Sequence, residues 1–357
     1  MEPTVFNLGS SLLVPSVQEL AKGHIASVPP RYMRPAQDLS IAAANDNNAS
    51  GHKVPVVDMQ RLLSQESADA ELAKLHFACK EWGFFQLVNH QVSTSLIEKM
   101  KGEVQDFFNL PMEEKKKFWQ YPGEVEGFGQ AFVVSENQKL DWGDLFFMVT
   151  QPVEARKPHL LPLLPLPIRE TLESYSLEVK NLAMAILAQM GKALNMESGE
   201  MEEFFEDGHQ SMRLNYYPPC PQPEKVIGLT PHSDASGLTI LLQVNEIEGL
   251  QIKKDGEWVS VMPLPNAFVI NIGDVLEMIT NGTYRSIEHR ATVNTDKERL
   301  SVATFCNVRY GVQIRPVSSL ITNETPAMFR SIELEEFFKG VFARKLQGKS
   351  YLDYLRI

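Results

Sequence analysis

The chain of 357 residues has few cysteines and no long hydrophobic run. Its three cysteines, Cys79, Cys220 and Cys306, are far apart and form no CxxC pair, which argues against a disulfide scaffold and indicates a reducing compartment. No segment approaches about 20 consecutive apolar residues, so we expect no transmembrane helix and no membrane partner. The first residues lack a basic stretch before an apolar run, so no secretory signal is expected either. These absences predict a cytoplasmic protein.

Basic residues are also scarce relative to acidic ones. Lysines and arginines total 34 against 45 aspartates and glutamates, and the formal net charge is −11. Nucleic-acid binding depends on lysines and arginines that neutralise phosphates, so no nucleic-acid partner is expected. With 43% hydrophobic and 22% charged residues, the composition is that of a globular protein with a substantial core. We expect a monomer that acts on a small molecule.

Hydrophobic periodicity divides the chain into a helical N-terminal part and a β-rich C-terminal part. Apolar residues recur at helical spacing over 72–82, 96–107 and 172–194, which predicts three helices. The spacing of Ser95 and Glu98 predicts a capping box at the start of the second helix. We expect the third and longest helix to brace the β-rich part.

After residue 210, short apolar segments alternate with turn residues, which predicts six β-strands. The predicted strands are Leu238–Leu242, Leu250–Lys253, Trp258–Val261, Phe268–Asn271, Val275–Ile279 and Leu300–Phe305. Asp255 and Gly256 form a two-residue hairpin signal between the second and the third of them. Many short strands at regular spacing are typical of an antiparallel sandwich or barrel.

Within the β-rich part, a histidine and an aspartate stand two residues apart, at His232 and Asp234. On a strand both side chains would project to the same face and could reach one metal ion. His289, 55 residues after Asp234, is the candidate third ligand. Two histidines and one carboxylate form a facial triad that leaves other positions open on Fe(II). Taken alone, each motif is also compatible with a turn or a structural histidine.

An arginine and a serine follow His289, at Arg299 and Ser301. An arginine that points into the core is costly unless it meets an anion, and its planar fork matches a carboxylate. Ser301 faces the same side of the strand and adds a hydroxyl. A dicarboxylic co-substrate with one end on the metal and the other on Arg299 accounts for both clusters. The alternative is a surface arginine beside a local hydroxyl.

With these motifs the sequence resembles the plant 2-oxoglutarate- and Fe(II)-dependent dioxygenases, in particular the senescence-related and norcoclaurine synthase-like branch that also holds the codeine and thebaine demethylases. The resemblance covers most of the chain. Its other motifs are ACKEWGFF from Ala78, NH from Asn89, FFNLPMEEKKKF from Phe107, GFGQ from Gly127 and NYYPPCP from Asn215. The resemblance implies a mainly β fold with flanking helices, built around a double-stranded β-helix (jelly-roll) core.

The family pattern implies roles for seven residues. The implied iron ligands are His232, Asp234 and His289, and the residues implied to bind 2-oxoglutarate are Arg299, Ser301, Tyr217 and Asn215. Fe(II), 2-oxoglutarate and O2 are the implied cofactor and co-substrates, and ascorbate is expected to support activity. The implied reaction oxidises a C–H bond of a small plant metabolite and releases succinate and CO2.

We expect the substrate to be an alkaloid, a phenolic or flavonoid, or a terpenoid, changed by hydroxylation, O-demethylation or desaturation. The candidate pocket walls are Phe128, Phe132, Trp142 and Phe305, each of which could instead belong to the core. One alternative is an O-demethylase of methoxylated alkaloids. Alternatives from other classes are a zinc-type metal hydrolase and an inactive cupin-like binding protein. The hydrolase would leave Arg299 and Ser301 without a purpose.

The resemblance also predicts a division into five regions. These are an N-terminal extension and loop (1–52), an N-terminal dioxygenase region of helices and short strands (53–165), a long bracing helix with its connection (166–210), the jelly-roll catalytic core (211–310), and a C-terminal loop and helix (311–357).

Two segments depart from the family pattern. Gln91 follows Asn89-His90 where the family usually has glycine, which predicts strain at a positive φ angle. Arg315 precedes Pro316 where glycine is usual, and Arg309 is also unusual. An arginine there could receive an acidic group of the substrate, but we expect a solvated loop residue instead.

Overall fold

A computed structural model describes residues 11–23, 25–35 and 53–357 of the chain. Within the predicted N-terminal extension and loop (1–52), residues 36–52 lie outside the described residues. The α-helices in the described ranges are α1 (Val17–Lys22), α2 (Met59–Leu62), α3 (Ala68–Phe77), α4 (Thr94–Asn109), α5 (Met112–Lys115), α6 (Leu166–Ala193), α7 (Glu200–Phe205), α8 (Asp274–Ile279), α9 (Leu334–Phe342) and α10 (Ser350–Tyr354). A π-helical turn at Ala78–Trp82 continues α3.

The strands form a large and a small sheet in addition to a two-stranded ribbon. They are β1 (Val56–Asp58), β2 (Phe84–Val88), β3 (Gly127–Gly129), β4 (Asp144–Gln151), β5 (Gln210–Tyr217), β6 (Leu229–His232), β7 (Leu238–Gln243), β8 (Leu250–Lys254), β9 (Glu257–Ser260), β10 (Phe268–Ile272), β11 (His289–Ala291), β12 (Arg299–Cys306), β13 (Gln313–Ile314) and β14 (Ile332–Glu333). The large sheet has the order β1-β2-β10-β7-β12-β5-β4-β3 and the small sheet the order β6-β11-β8-β9. Only β1 and β2 pair in parallel among the described strands.

The small sheet packs on one face of the large sheet. Phe84 of β2 and Val269 of β10 share an apolar cluster with Leu250 and Ile252 of β8. On the other face lies α6, whose apolar stripe is buried in the main core, as its periodicity predicts. All eight residues of β5 are buried because both faces of its sheet are covered. The predicted mainly β fold with flanking helices is confirmed.

The hairpin signal forms the turn that it predicts. β8 and β9 pair across Asp255 and Gly256, with Lys254 opposite Glu257. The φ angles of Asp255 and Gly256 are 51° and 88°, and two consecutive positive values suit the right-handed twist of the flanking strands.

The predicted strand Val275–Ile279 is wrong, because these residues belong to helix α8. Every residue of this helix is buried, and a short, fully buried apolar run has no periodicity that separates a strand from a helix. Asp274 and Glu277 lie in its first turn, where acidic side chains stabilise a helix.

The predicted capping box at the start of α4 is also wrong. The helix begins two residues earlier than that box requires, with Ser93 at the N-cap, and the side chain of Ser93 forms no capping hydrogen bond with the helix backbone. Ser93 and Ser95 pair with each other through their hydroxyls at 2.8 Å, and Glu98 pairs with Lys101. Because the two serine hydroxyls bond to each other, neither of them caps the helix backbone.

The two departures from the family pattern lie on the surface. Gln91 has a φ angle of 67°, so the expected positive value is confirmed, and its side chain is exposed. Arg309 and Arg315 are exposed as well. Among the described residues, no helix combines the length and the apolar character needed to cross a bilayer.

Candidate active site

Strands β6 and β11 of the small sheet, with the residues that follow β6, bring His232, Asp234 and His289 together. His232 ends β6, His289 begins β11, and the two residues are direct partners in the antiparallel pair. Their ring centroids are 4.3 Å apart. Asp234 lies just beyond the end of β6, and its Oδ1 is 3.5 Å from Nε2 of His232 and 3.6 Å from Nε2 of His289. Adjacent strands thus place three donor atoms around one point.

Hydrogen bonds hold these three side chains in the orientation that a metal ligand needs. Nδ1 of His232 lies 2.8 Å from the carbonyl oxygen of Thr230, and Nδ1 of His289 lies 3.1 Å from that of Ile287. A proton on each Nδ1 leaves the lone pair of each Nε2 free to bind a metal. Oδ2 of Asp234 accepts hydrogen bonds from the side chains of Thr239 and Asn271, both at 2.7 Å, so Oδ1 remains for the metal.

The electrostatics of the triad favour metal-binding protonation states. Burial alone would raise the pKa of the Asp234 carboxyl, but His289, His232 and Asn271 outweigh burial and hold that pKa well below its usual range. Burial, followed by the neighbouring His232, lowers the pKa of His289 to about 4. At neutral pH the aspartate is therefore ionised and His289 is neutral, as metal ligation requires.

A divalent metal ion fits this arrangement. Nε2 of His232 is buried without a hydrogen-bond partner, which is an unusual state for a buried polar atom. The donor atoms of the three residues lie within 4.8 Å of one another. Two imidazoles and one carboxylate suit Fe(II) and leave open coordination positions. The same donors also bind Zn(II), so the triad alone does not identify the metal. The pocket next to the triad provides the further evidence.

That pocket lies on the paired strands β5 and β12. Arg299 is the register partner of Tyr217, and Ser301 is the partner of Asn215. The Arg299 guanidinium lies over the Tyr217 ring at 5.4 Å, and Nδ2 of Asn215 donates to the Ser301 hydroxyl at 3.3 Å. All four residues border one pocket with Asp234 and His289. The structure therefore brings together the residues that the sequence associates with 2-oxoglutarate.

Arg299 is a buried cation without a matching anion. It is 2% exposed and forms no ion pair with any described residue. One of its terminal nitrogens donates to Oε1 of Gln243 at 2.8 Å, and its Nε has no partner. A buried charge without a counter-charge is costly, so this pocket is suited to a carboxylate. A metal hydrolase has no need for such a pocket.

On the other side of the triad is an aromatic chamber. It has a volume of about 90 Å³ and also borders His232 and Asp234. Its aromatic walls are Phe132, Phe147, Phe305, Phe338 and Phe342. The rings of Phe132 and Phe342 stack at 5.1 Å with an angle of 7° between their planes. Phe132 has a φ angle of 62°, which is strained for a bulky residue. Beyond it lies an outer cleft of about 600 Å³.

Two of the four predicted pocket walls lie elsewhere. Phe128 is 1% exposed and packs among Phe107 and Phe108 in the main core. Trp142 is fully buried against Tyr32, and its indole donates to the carbonyl oxygen of Pro218. The structure thus places these two residues in the core, which is the alternative that the sequence leaves open for each of them. A bulky aromatic residue fills whichever space the neighbouring elements leave, and sequence pattern alone does not show that space.

Sequence reasoning missed two polar residues of the chamber, His209 and Arg213. Side chains of β5 alternate, so Arg213 shares one face with Asn215 and Tyr217, and this period of two could have revealed it. His209 precedes the strand and lies against the rings of Tyr310 and Phe338. Burial lowers the pKa of His209 to about 4, so its ring is neutral at physiological pH.

Comparisons with known proteins agree with this site. The profile of the 2OG-Fe(II) oxygenase superfamily matches residues 208–308, and the profile described as non-haem dioxygenase in morphine synthesis, N-terminal, matches residues 54–164. The chain therefore belongs to the 2OG-Fe(II) oxygenase superfamily. It is an oxidoreductase that uses Fe(II) and 2-oxoglutarate, which sets aside the zinc hydrolase and the inactive cupin-like protein.

Individual relatives place the chain among the plant enzymes of this family, as its motifs predict. It is 61% identical to protein SRG1 of Arabidopsis thaliana, over 98% of each chain. It is 57% identical to oxoglutarate-dependent flavonoid 7-O-demethylase 1 of Ocimum basilicum, over 98% of this chain and 93% of the relative. The solved structure of JOX2 in complex with 2OG, Fe and JA superposes with a TM-score of 0.88 at 33% identity, over 96% of this chain and 98% of that one.

Proposed function

We propose that this enzyme oxidises a methoxy or ring C–H bond of an aromatic plant metabolite, with O-demethylation as the leading reaction. His232, Asp234 and His289 hold Fe(II), and Arg299 with Ser301, Tyr217 and Asn215 holds 2-oxoglutarate. The observation that carries the proposal is the buried guanidinium of Arg299, which lacks an anion and borders the same pocket as Asp234 and His289 of the metal triad. The flavonoid O-demethylase among the relatives supports demethylation over hydroxylation.

The protein residues perform binding, orientation and exclusion of water in this mechanism. Arg299, with its planar fork, would hold the distal carboxylate of 2-oxoglutarate, and the Ser301 hydroxyl would add a hydrogen bond. Oε1 of Gln243 accepts one N–H of the guanidinium, and the other N–H groups of Arg299 remain for the ligand. Bound Fe(II), with 2-oxoglutarate and O2, supplies the oxidant for the C–H bond. The phenylalanines of the chamber hold the substrate beside the metal and keep water out.

For a methyl ether, the overall reaction uses both atoms of O2. One atom of O2 enters a C–H bond of the methyl group, and the other enters succinate as 2-oxoglutarate loses CO2. The hydroxymethyl ether then breaks into formaldehyde and a free hydroxyl group. Because the same oxidant serves hydroxylation, the C–H bond that the chamber holds nearest the metal decides the outcome.

We further propose that the enzyme is a cytoplasmic monomer without nucleic-acid or membrane partners. The three cysteines are buried and unpaired, which suits a reducing compartment. The formal net charge of −11 disfavours binding to nucleic acid or to an anionic membrane surface. The five-region division of the chain and the support of activity by ascorbate also stay predictions.

The experiment that tests the proposed function measures succinate and formaldehyde together. Purified full-length protein is incubated in air with Fe(II), 2-oxoglutarate, ascorbate and a panel of methoxylated flavonoids, phenolic acids and alkaloids. Formaldehyde in equal amount to succinate supports O-demethylation, whereas a product heavier by one oxygen atom indicates hydroxylation. The absence of substrate-stimulated succinate across the panel would contradict the proposed substrate class.

A further inference from the structure

Arg213 is a second buried cation of the active site, and the chemistry of the metal and 2-oxoglutarate leaves it unexplained. It is 9% exposed, and its guanidinium forms no ion pair and no hydrogen bond within the described part of the chain. Its contact is with the Phe305 ring, whose centroid lies 5.5 Å away. By the reasoning that assigns an anion to Arg299, Arg213 also requires an acceptor.

The position of Arg213 indicates that this acceptor belongs to the substrate. Along with Asp234 and Phe305, it borders both the aromatic chamber and the co-substrate pocket. Its strand neighbours on the same face are Ser211, on the chamber side, and Asn215, on the co-substrate side. A ligand in the chamber therefore lies between Arg213 and the aromatic walls while its reactive carbon faces the metal triad.

The charges of the loaded site indicate the chemistry of this ligand. The charges of Fe(II), ionised Asp234, doubly ionised 2-oxoglutarate and Arg299 cancel. His209 is neutral, and Arg290, which also borders the pocket, stacks on Trp258 and has the nearby Glu288 carboxylate as its counter-charge. Arg213 thus leaves one positive charge in a buried space. A ligand with one negative charge neutralises it, whereas a protonated amine adds a second positive charge.

We infer that Arg213 binds one anionic oxygen, a carboxylate or an acidic phenolate, of an aromatic substrate and thereby selects acidic aromatic metabolites over amines. This inference rests on the proposed function, because it assumes that the aromatic chamber holds the substrate. Arg213 is a specificity-determining residue in this view: its fork fixes the ring through one oxygen, and the opposite edge of the ring is presented to the metal. The acidic oxygen and the oxidised carbon then lie on different sides of the substrate.

The test compares pairs of probes that differ in charge and share a ring. The full chain, loaded with Fe(II) and 2-oxoglutarate under anaerobic conditions, is titrated calorimetrically with 4-methoxybenzoate and with its methyl ester. A second arm uses 7-hydroxyflavone and 7-methoxyflavone, and 4-methoxybenzylamine serves as the cationic probe. We expect the wild type to bind at least one acidic member about tenfold or more tightly than its neutral partner, and to bind the amine most weakly.

Variants connect this preference to Arg213. Arg213→Gln should reduce the ratio of acidic to neutral affinity to about one, and Arg213→Lys should retain part of it. Arg309→Gln removes an exposed arginine and should leave the ratio unchanged. If Arg213→Gln does not fold, Arg213→Met fills similar space without a charge and takes its place. The arm that shows the preference identifies carboxylate or phenolate as the source of the anionic oxygen.

Three outcomes would overturn the inference. These are equal affinity of the wild type for both members of each pair, a preference that survives in Arg213→Gln, and a 2-oxoglutarate midpoint shifted by Arg213→Gln as much as by Arg299→Gln. The last outcome would assign Arg213 to the co-substrate instead. Failure of the wild type to show a 2-oxoglutarate-induced absorption band with Fe(II) would contradict the proposed function itself. A normal band without a preference for acids would contradict only the role of Arg213.

Discussion

The two sides of the metal triad are built from different kinds of structure. On the co-substrate side, Arg299, Ser301, Asn215 and Tyr217 stand on two central strands whose backbone ladder pairs them one to one. On the substrate side, strand residues such as Phe147 and Phe305 also border the chamber, but the segment around Phe132 and α9 close it and meet through stacked rings.

This difference matches two functions: binding of 2-oxoglutarate, which every reaction of the enzyme requires, and choice of substrate, which can vary. The backbone of a central strand is hydrogen-bonded on both sides and therefore holds its side chains at fixed positions. The site for 2-oxoglutarate is rigid for this reason. Loops and a terminal helix accept changes in length and sequence without disturbing the sheet. We therefore expect substitutions among the four strand residues that bind 2-oxoglutarate (the strand side) to abolish or weaken every reaction of the enzyme. Substitutions among the residues that line the chamber (the loop side, together with Arg213 of β5) should change its choice of substrate.

The largest effect is expected at the triad that both sides share. Asp234→Ala should reduce turnover to the background, since it removes the one anionic metal ligand. Asp234→Asn should do the same while preserving the hydrogen bonds from Thr239 and Asn271. Succinate formation measures the loss, and circular dichroism checks the fold. Asp296→Ala, at an exposed aspartate, is the matched control. Full activity of either Asp234 variant, or activity with Zn(II) alone, would refute the assignment.

A smaller but still large effect is expected on the strand side. Arg299→Ala should weaken 2-oxoglutarate affinity by about 30-fold or more, because loss of one partner from a buried charge pair costs about 2–5 kcal/mol. Arg299→Lys should suffer as well, since an ammonium group lacks the planar fork. Ser301→Ala should lose less, about 1–3 kcal/mol. Anaerobic titration of the Fe(II) form, followed by its charge-transfer absorption, measures each midpoint.

The controls for this experiment come from the same chain. Iron binding should survive in all three variants because the ligands lie on other strands. Arg309→Ala removes an exposed arginine and should leave the 2-oxoglutarate midpoint unaltered. If Arg299→Ala also retained the midpoint of the wild type, the co-substrate pocket would be misassigned.

On the loop side, His209 makes the chamber sensitive to acid. Its folded pKa of about 4 is below the unfolded value of 6.5, so the unfolded chain binds the extra proton as the pH falls below about 6.5. The folded state therefore loses about 2 kcal/mol from this residue between pH 7 and pH 5. His209→Phe should remove this part of the pH dependence. Urea unfolding of the metal-free protein at both pH values measures it, and identical pH dependence in the two proteins would argue against the lowered pKa.

The smallest effect, and the most selective, is expected at Phe132. Its ring separates the chamber from the outer cleft, and aromatic stacking on Phe342 contributes about 0.5–1.5 kcal/mol. Phe132→Ala should raise KM for small aromatic substrates by about two- to tenfold and lower it for bulky ones, with the 2-oxoglutarate midpoint unchanged. Phe77→Ala, at a phenylalanine that is 52% exposed, is the control. A shift in 2-oxoglutarate affinity would show that the two sides are not independent.

Local sequence pattern is sufficient for the elements whose environment it encodes. The period of two along a strand puts Arg299 with Ser301, and Asn215 with Tyr217, on common faces. The positive φ angles required by Asp255 and Gly256 determine the hairpin, and the long apolar stripe determines α6. In each case neighbours in the sequence carry the physical constraint, so the sequence by itself is informative.

Only the tertiary structure decided the substrate side and the details that depend on burial. Phe128 and Phe132 are four residues apart, yet one fills the core and the other closes the chamber against Phe342, more than 200 residues away in the chain. The buried apolar run Val275–Ile279 fits a strand as well as a helix such as α8 until its surroundings are known. That Arg213 lacks an anion is likewise a property of everything packed around it. Packing and burial depend on partners distant in sequence, and no local pattern contains them.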